Sequence, residues 1–232
     1  VVGRDKEIRT MLKCLERSEN KAIMIIGDSG IGKTSIINAF VKEICNNKDE
    51  MLQQVSVVGL NTAKLLARAS SENEISQKTV ALIHKLKQIE QVVLVIDDLQ
   101  VLLENGNTGK STTLINILNA QIGEGACNLI FTITNDAYRK HIEKQSIESK
   151  LVIINAEELD YSTLLCAMHL HKKEIESHYG LEVSDDCIPN VIQLSRRYFK
   201  ERSLPSAAID LLDRASAAVR LCNKNARNTV EN

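Results

Sequence analysis

Ala22-Ile23-Met24-Ile25-Ile26-Gly27-Asp28-Ser29-Gly30-Ile31-Gly32-Lys33-Thr34 is the stretch that decides the fold. With Lys21 before it, the run Lys21 to Ile26 reads as a parallel strand buried on both faces. The eight residues from Gly27 to Thr34 then fit G-x-x-x-x-G-K-[ST] in full. Glycines at 27, 30 and 32 let the backbone wrap closely, and successive N–H groups of such a loop point at phosphate oxygens. A helix opening near Lys33 adds its positive dipole end at the same place. In this arrangement Lys33 reaches the β and γ phosphates of a nucleotide and the Thr34 hydroxyl ligates Mg²⁺. Asp28, Ser29, Ile31 and Ser35 belong to the same cradle by position. The alternative is a Gly-rich turn with a solvated lysine, but that needs neither the strand before nor the helix after.

The second half of the expected site lies downstream. Val92-Val93-Leu94-Val95-Ile96 is the strongest strand signal in the chain, and it ends at Asp97-Asp98. A carboxylate at that strand end can hold Mg²⁺ through water, which pairs Asp97 with Thr34 as the metal-side residues. Asp98 sits where many such ATPases carry a Glu that orients the attacking water. Aspartate is one methylene shorter, and a misplacement of about one ångström can cost ~100-fold in rate. Asp98 is therefore either a slow base or only a second polar residue at the strand end. Thr134 and Asn135 follow a fourth strand, where a polar side chain either reaches the γ phosphate or simply makes a turn.

The remaining pattern agrees with a parallel sheet. Strands are expected at Val55 to Leu60, Asn128 to Thr134 and Leu151 to Ile154. Helices are expected at Ser35 to Cys45, Thr79 to Ile89 and Thr113 to Ile122, and an earlier one carries Ile8, Met11, Leu12 and Leu15 at helical period. Strands alternating with helices imply right-handed crossovers and ligands beyond the strand carboxyl ends. After about residue 156 the strand signal stops. Tyr161 to Tyr179, Ser184 to Phe199 and Pro205 to Arg220 read as three helices, with Asp185 or Ser184 capping the second and Pro205 in the first turn of the third. The expected architecture is α/β: a three-layer αβα domain with a five-stranded parallel sheet over residues 1–155, then a small all-α lid over residues 156–232.

Composition removes several functional classes. The chain has 232 residues and a formal net charge of −1, from 29 Lys+Arg against 30 Asp+Glu. No basic excess favours a phosphate-backbone binder, and with 3% aromatics and no Trp there is no base-stacking platform, so nucleic acid is an improbable partner. No apolar run reaches the ~18 residues of a membrane helix, and no signal peptide is visible. Six cysteines lack CxxC spacing and read as small buried hydrophobes of a reducing, cytoplasmic compartment. The chain opens Val1-Val2-Gly3-Arg4 without a Met, as a fragment of a longer protein would. His169 and His171, two apart on a helix, point to different faces and do not suggest a metal site.

Several stretches carry a family resemblance. Val1-Val2-Gly3-Arg4-Asp5-Lys6-Glu7-Ile8-Arg9 resembles the opening that packs beside the adenine, which implies a cofactor contact at Val2. Asp136-Ala137-Tyr138-Arg139-Lys140-His141-Ile142-Glu143-Lys144 resembles a segment after a sensor strand. Ser195-Arg196-Arg197-Tyr198 with Leu204-Pro205-Ser206-Ala207-Ala208-Ile209-Asp210-Leu211-Leu212-Asp213 resembles a lid signature. Together they resemble the first AAA+ module of the Clp-type ring unfoldases, such as the ClpB disaggregase. The resemblance implies ATP or ADP with Mg²⁺ bound between neighbours of a hexameric ring, pore loops that pull on protein substrates, and a sensor role for Thr134.

The chain also departs from that pattern. Asp98 replaces the family's catalytic Glu. The paired arginines that reach a neighbour's γ phosphate fall near Ser149-Lys150, leaving Lys150 as a point charge in place of a planar fork; an arginine so supplied is worth ~10³–10⁵ in rate. Ser206-Ala207 replaces the Asp-Lys after the lid proline. The pore-loop region Ala63 to Ile75 holds Lys64, Arg68, Ser70 and Ser71 but no Tyr or Gly. The run Leu211 to Ala217 looks somewhat more like the ClpV-like ATPases of type VI secretion, which recycle contractile sheaths. Three readings follow: an ATP-binding ring module that hydrolyses slowly and supports assembly, a fully active unfoldase using Asp98 and Lys150, and a nucleotide-gated DNA-binding or signalling switch.

Overall fold

A computed structural model describes residues 2–15, 22–47, 49–67, 72–89, 91–104, 111–124 and 128–230. Val1, Lys21, Arg68, Ser70, Ser71 and Cys127 lie outside the described residues. Contacts divide the chain into an α/β unit, made of Arg4–Gly27 and Lys33–Ala156, and a helical unit running from Glu157. Two upstream segments belong with the helical unit: Val2-Gly3 and Asp28–Gly32.

In the α/β unit, strands β1 (Ala22–Ile26), β2 (Ser56–Leu60), β3 (Val92–Ile96), β4 (Asn128–Ile133) and β5 (Leu151–Asn155) form one sheet in the order β2-β3-β4-β1-β5. Every pairing is parallel. β1 and β3 are buried along their whole length, as their unbroken apolar runs require. Register puts Ile25 beside Thr132 and Ile26 beside Ile133, while Ile96 lies beside Phe131. β4 therefore separates the strand that feeds the Gly-rich loop from the strand that ends in the two aspartates.

Helices α1 (Asp5–Leu15), α2 (Lys33–Asn46), α3 (Glu50–Gln53), α4 (Thr62–Ala67), α5 (Glu72–Leu86), α6 (Leu99–Glu104), α7 (Ser111–Gly123) and α8 (Asn135–His141) complete the unit, with a 3-10 turn at Glu148–Lys150. Met24, Leu94, Ile96, Phe131, Ile83, Leu99 and Leu118 join in a common core, all at most 1% exposed. Burying one such side chain is worth about 1.5–3 kcal/mol. On α1 the fully buried residues are Met11 and Cys14, with Ile8, Leu12 and Leu15 half-covered. The stripe is thus turned slightly from the one its larger aliphatics suggest.

The helical unit contains α9 (Tyr161–Tyr179), α10 (Cys187–Tyr198) and α11 (Ser206–Val230) around Leu164, Met168, Ile188, Ile192, Leu204, Ala208 and Leu212. Asp160 caps α9: its carboxylate accepts from the Thr163 amide at 3.0 Å and from the Ser162 and Thr163 hydroxyls. Gly180, at φ +64°, ends the helix in the left-handed region. The cap expected at Asp185 or Ser184 is not made. Asp185 accepts from Lys172 at 2.5 Å, and Asp186 occupies the cap position without a side-chain bond. The ammonium across the turn wins the carboxylate. Pro205 precedes α11, which begins at Ser206.

The cysteine expectation is corrected. Cys14 is buried, but Cys45, Cys166, Cys187 and Cys222 are exposed free thiols. Each of the four sits on the outward side of a helix, where periodicity, and not apolar character, sets exposure. Among the described residues no helix is long and apolar enough to cross a membrane.

Truncating a fully enclosed aromatic leaves a cavity beside the sheet. Phe131→Ala is expected to cost ~3–5 kcal/mol, read as a lower denaturation midpoint at unchanged slope. Hydrogen bonds from Ser162 and Thr163 hold the Asp160 carboxyl well below the usual carboxylate range. A depressed folded pKa gives stability that is present above the unfolded pKa and lost as pH falls through the folded one. Asp160→Ala should therefore melt below wild type at pH 7, with the gap narrowing as the pH is taken down towards 2 in paired thermal scans.

Candidate functional site

In the α/β unit, β1 runs into Gly27, whose amide donates to Ile133 O at 3.2 Å and so extends the pairing with β4 by one residue. Lys33 opens α2 and is 7% exposed; its ammonium bends back to donate to Gly27 O at 2.8 Å. A lysine so enclosed is not the solvated side chain of a generic turn. Thr34 and Ser35 follow on the exposed side of the first turn, where helical amides lack intrahelical acceptors.

Asp97 stands just past β3. Its Oδ2 accepts from the Thr34 hydroxyl at 2.8 Å and its Oδ1 accepts from the Thr132 hydroxyl at 2.5 Å. The pairing of Thr34 with Asp97, read from motifs 63 positions apart, is thus direct. Because Thr34 spends its proton on Asp97, its oxygen lone pairs are left to face outward. Hydroxyl and carboxylate oxygens are the donor set a hard divalent cation takes, so the residues present fit Mg²⁺.

Asp98 differs from its neighbour. Its backbone is left-handed, at φ +55°, and its amide donates to Thr132 Oγ1 at 2.7 Å. Its Oδ1 accepts from the Gln100 amide at 2.9 Å, and Gln100 Oε1 is buried without a partner. The turn that starts α6 therefore points the second carboxylate along the helix start, not across to Thr34.

Thr134 and Lys150 are held by local structure. The Thr134 hydroxyl accepts from the Ala137 amide at 3.3 Å as the cap of α8. Lys150 donates to Asn119 O at 3.0 Å, in the last turn of α7, the end of a helix that favours a cation. The segment carrying Lys150 is clamped: Tyr138 donates to one Glu148 oxygen at 2.7 Å and the Lys144 amide to the other at 2.7 Å. Burial, then the carboxylate beside it, pushes the Tyr138 hydroxyl up to about 12.

In the helical unit, the loop segment Asp28–Gly32 is tied by its carbonyls. Ser29 O accepts from the Ser203 amide at 2.9 Å and Gly30 O from the Ser206 amide at 3.3 Å. A trans peptide puts N–H and C=O on opposite sides. The Gly30 and Ile31 amides thus face away from the 203–206 segment. Gly30 at φ +85° and Gly32 at φ +98° allow this curl. Val2 is half-buried in this unit, next to Gly3, where a Cβ would collide with Thr163.

Thr132, Gln100 and the Ser203–Ser206 backbone are the participants sequence reasoning missed. Thr132 had one signal: a hydroxyl one residue before the end of an otherwise apolar strand. The other two had none. Of the pore-loop residues named above, Lys64 lies exposed on α4, and Arg68, Ser70 and Ser71 are outside the described residues.

The family model described as Novel STAND NTPase 1 matches residues 2–167, and the AAA lid domain matches residues 163–232. The chain is 30% identical over 233 residues to the ATP-dependent Clp protease ATP-binding subunit ClpC of Staphylococcus aureus, covering 100% of this chain and 28% of that relative. It is 30% identical over 223 residues to the chaperone protein ClpB of Nitratidesulfovibrio vulgaris, covering 95% and 26%. Among solved structures, the S. cerevisiae Hsp104–ADP complex matches with a TM-score of 0.85 and 28% identity over 97% of this chain and 39% of that one. An Hsp104–casein complex in an extended conformation matches with a TM-score of 0.81 and 27% identity over 96% and 38%. The chain thus spans little more than a quarter of the curated relatives' length.

A Cβ built on Gly30 would lie 2.9 Å from Ser206 Cβ and 3.1 Å from Ser203 O, at a φ that side chains rarely adopt. Gly30→Ala is expected to lower the melting temperature by several degrees, with Gly180→Ala as the control: it shares the positive φ but meets nothing.

Proposed function

The chain belongs to the Clp-type AAA+ ATPases, with an α/β part that also falls in the Novel STAND NTPase 1 family, and we propose that it binds ATP or ADP with Mg²⁺ as the ring-forming module of a larger protein-remodelling machine. The observation that carries this is the 2.8 Å bond from Thr34 to Asp97, which joins the end of the Gly-rich loop to the acidic strand end. Lys33 and the amides of residues 27–34 take the phosphates. Thr34 and Asp97 hold the cation, which supplies neutralisation of phosphate charge. Val2 contributes beside the base.

Hydrolysis is slow in this reading. Asp98 is engaged by Gln100 and turned by its left-handed backbone, and Lys150 is engaged by the end of α7. Neither is poised as a free base or a free cation. The module's work is nucleotide-dependent assembly, with self as the first partner and a protein chain as the substrate of the whole machine, in the cytoplasm. Type VI secretion sheath recycling is one such machine. Relatives named as chaperone and protease-associated subunits, and an Hsp104 structure solved with casein, support a protein substrate.

A second reading rests on the Novel STAND NTPase 1 match over residues 2–167: a nucleotide-gated switch that moves a partner domain instead of threading protein. Salt-dependent binding of duplex DNA at micromolar affinity would favour a DNA-directed form of it.

Wild type is expected to bind ADP and ATP in the presence of Mg²⁺, and Lys33→Ala to lose at least about tenfold in affinity, since one charge-assisted contact is worth ~1.5–3 kcal/mol. Steady-state phosphate release should stay far below the ~10 s⁻¹ median of enzymes, and Asp98→Ala and Lys150→Ala should leave it unchanged. Vigorous turnover abolished by either substitution would instead establish an active unfoldase. Sedimentation with and without ATP reads the assembly.

A further inference from the structure

Sheet order places β4 between β1 and β3, so whatever aligns Thr34 with Asp97 does so over the end of β4. Thr132 stands there. It is 0% exposed in a strand whose neighbouring residues are Ile130, Phe131 and Ile133. A hydroxyl buried in such company needs partners, and both of its roles are filled. It gives its proton to Asp97 Oδ1 at 2.5 Å and receives the Asp98 amide at 2.7 Å. With Thr34 on Oδ2, each oxygen of Asp97 holds one threonine hydroxyl. The two bonds fix the rotation of the carboxylate about its Cβ–Cγ axis, which a single bond would not.

We propose that Thr132 is a positioning residue for the metal side of the nucleotide site: it sets the plane of the Asp97 carboxylate and, through the Asp98 amide, the turn that separates the two acids. The proposal rests on the nucleotide reading above. The Thr132 hydroxyl is spent on Asp97 and on the Asp98 amide, so its effect passes through those two residues. Metal-free nucleotide contacts made by Lys33 and the loop amides do not depend on it. Valine has the same shape but can neither donate nor accept, which frees Asp97 to rotate and strands the Asp98 amide. Serine keeps both roles. Supporting groups of this kind are worth ~10–100-fold in metal affinity.

The test is binding of a fluorescent ADP to the chain, titrated with MgCl₂ and repeated in EDTA. Thr132→Val and Thr132→Ala are expected to raise the Mg²⁺ concentration for half-maximal tightening by about tenfold or more, with the affinity in EDTA unchanged and Thr132→Ser close to wild type. The alanine variant serves if valine does not fold. An unchanged Mg²⁺ midpoint in either folded variant overturns the proposal, as does an equal loss in EDTA or a serine variant as impaired as valine. A wild-type chain that binds no nucleotide overturns the nucleotide reading itself, and is recognised by failing in both media.

Discussion

One carboxylate gathers the acidic end of the sheet. Asp97 receives a hydroxyl on each oxygen, one from the first turn of α2 and one from the interior of β4. Three chain segments far apart in sequence thereby meet at the carboxyl ends of adjacent parallel strands, where α/β proteins place their ligands. The two hydroxyls satisfy both oxygens of a half-buried carboxylate, at 2.8 and 2.5 Å. Take away either threonine and one of those oxygens loses its partner. The order β2-β3-β4-β1-β5 makes this gathering possible, since β1 and β3 are next-but-one neighbours.

Much of this is legible in the sequence alone. The buried strands β1 and β3 announce themselves by unbroken aliphatic runs, and the Gly-rich loop by spacing that few other structures need. The partnership of Thr34 with Asp97 followed from the motifs alone. What was not legible depends on tertiary neighbours. Nothing in Asp97-Asp98 tells whether the second carboxylate stands free or is engaged; a left-handed residue and a glutamine two positions on decide it. Asp185 looks like a helix cap until Lys172 arrives from another helix. Short helices such as α3, α4 and α6, of four to six residues, carry too few turns for a period to register. The exposed cysteines mislead for a similar reason, because a small side chain has weak burial preference of its own.

The ends of helices absorb most of the remaining polar groups. Lys150 meets the last turn of α7, Thr134 the first turn of α8, and Asp160 the first turn of α9. Each is a local electrostatic arrangement that suffices to explain the residue. The residue at 150 is therefore committed within its own unit. Tyr138 and Glu148 add a second commitment by closing the chain between α8 and β5.

The tethering of Ser29 and Gly30 by their carbonyls bears on the entropy of anion capture. A glycine-rich segment is the most conformationally free stretch a chain can have, and ordering each residue on ligand arrival costs about 1–2 kcal/mol. Here that ordering precedes the ligand, since peptide planes already anchored on one side cannot rotate to present oxygen on the other. In the nucleotide reading proposed above, a triphosphate arriving at this loop meets backbone already ordered, and little of the attraction is lost to immobilising it.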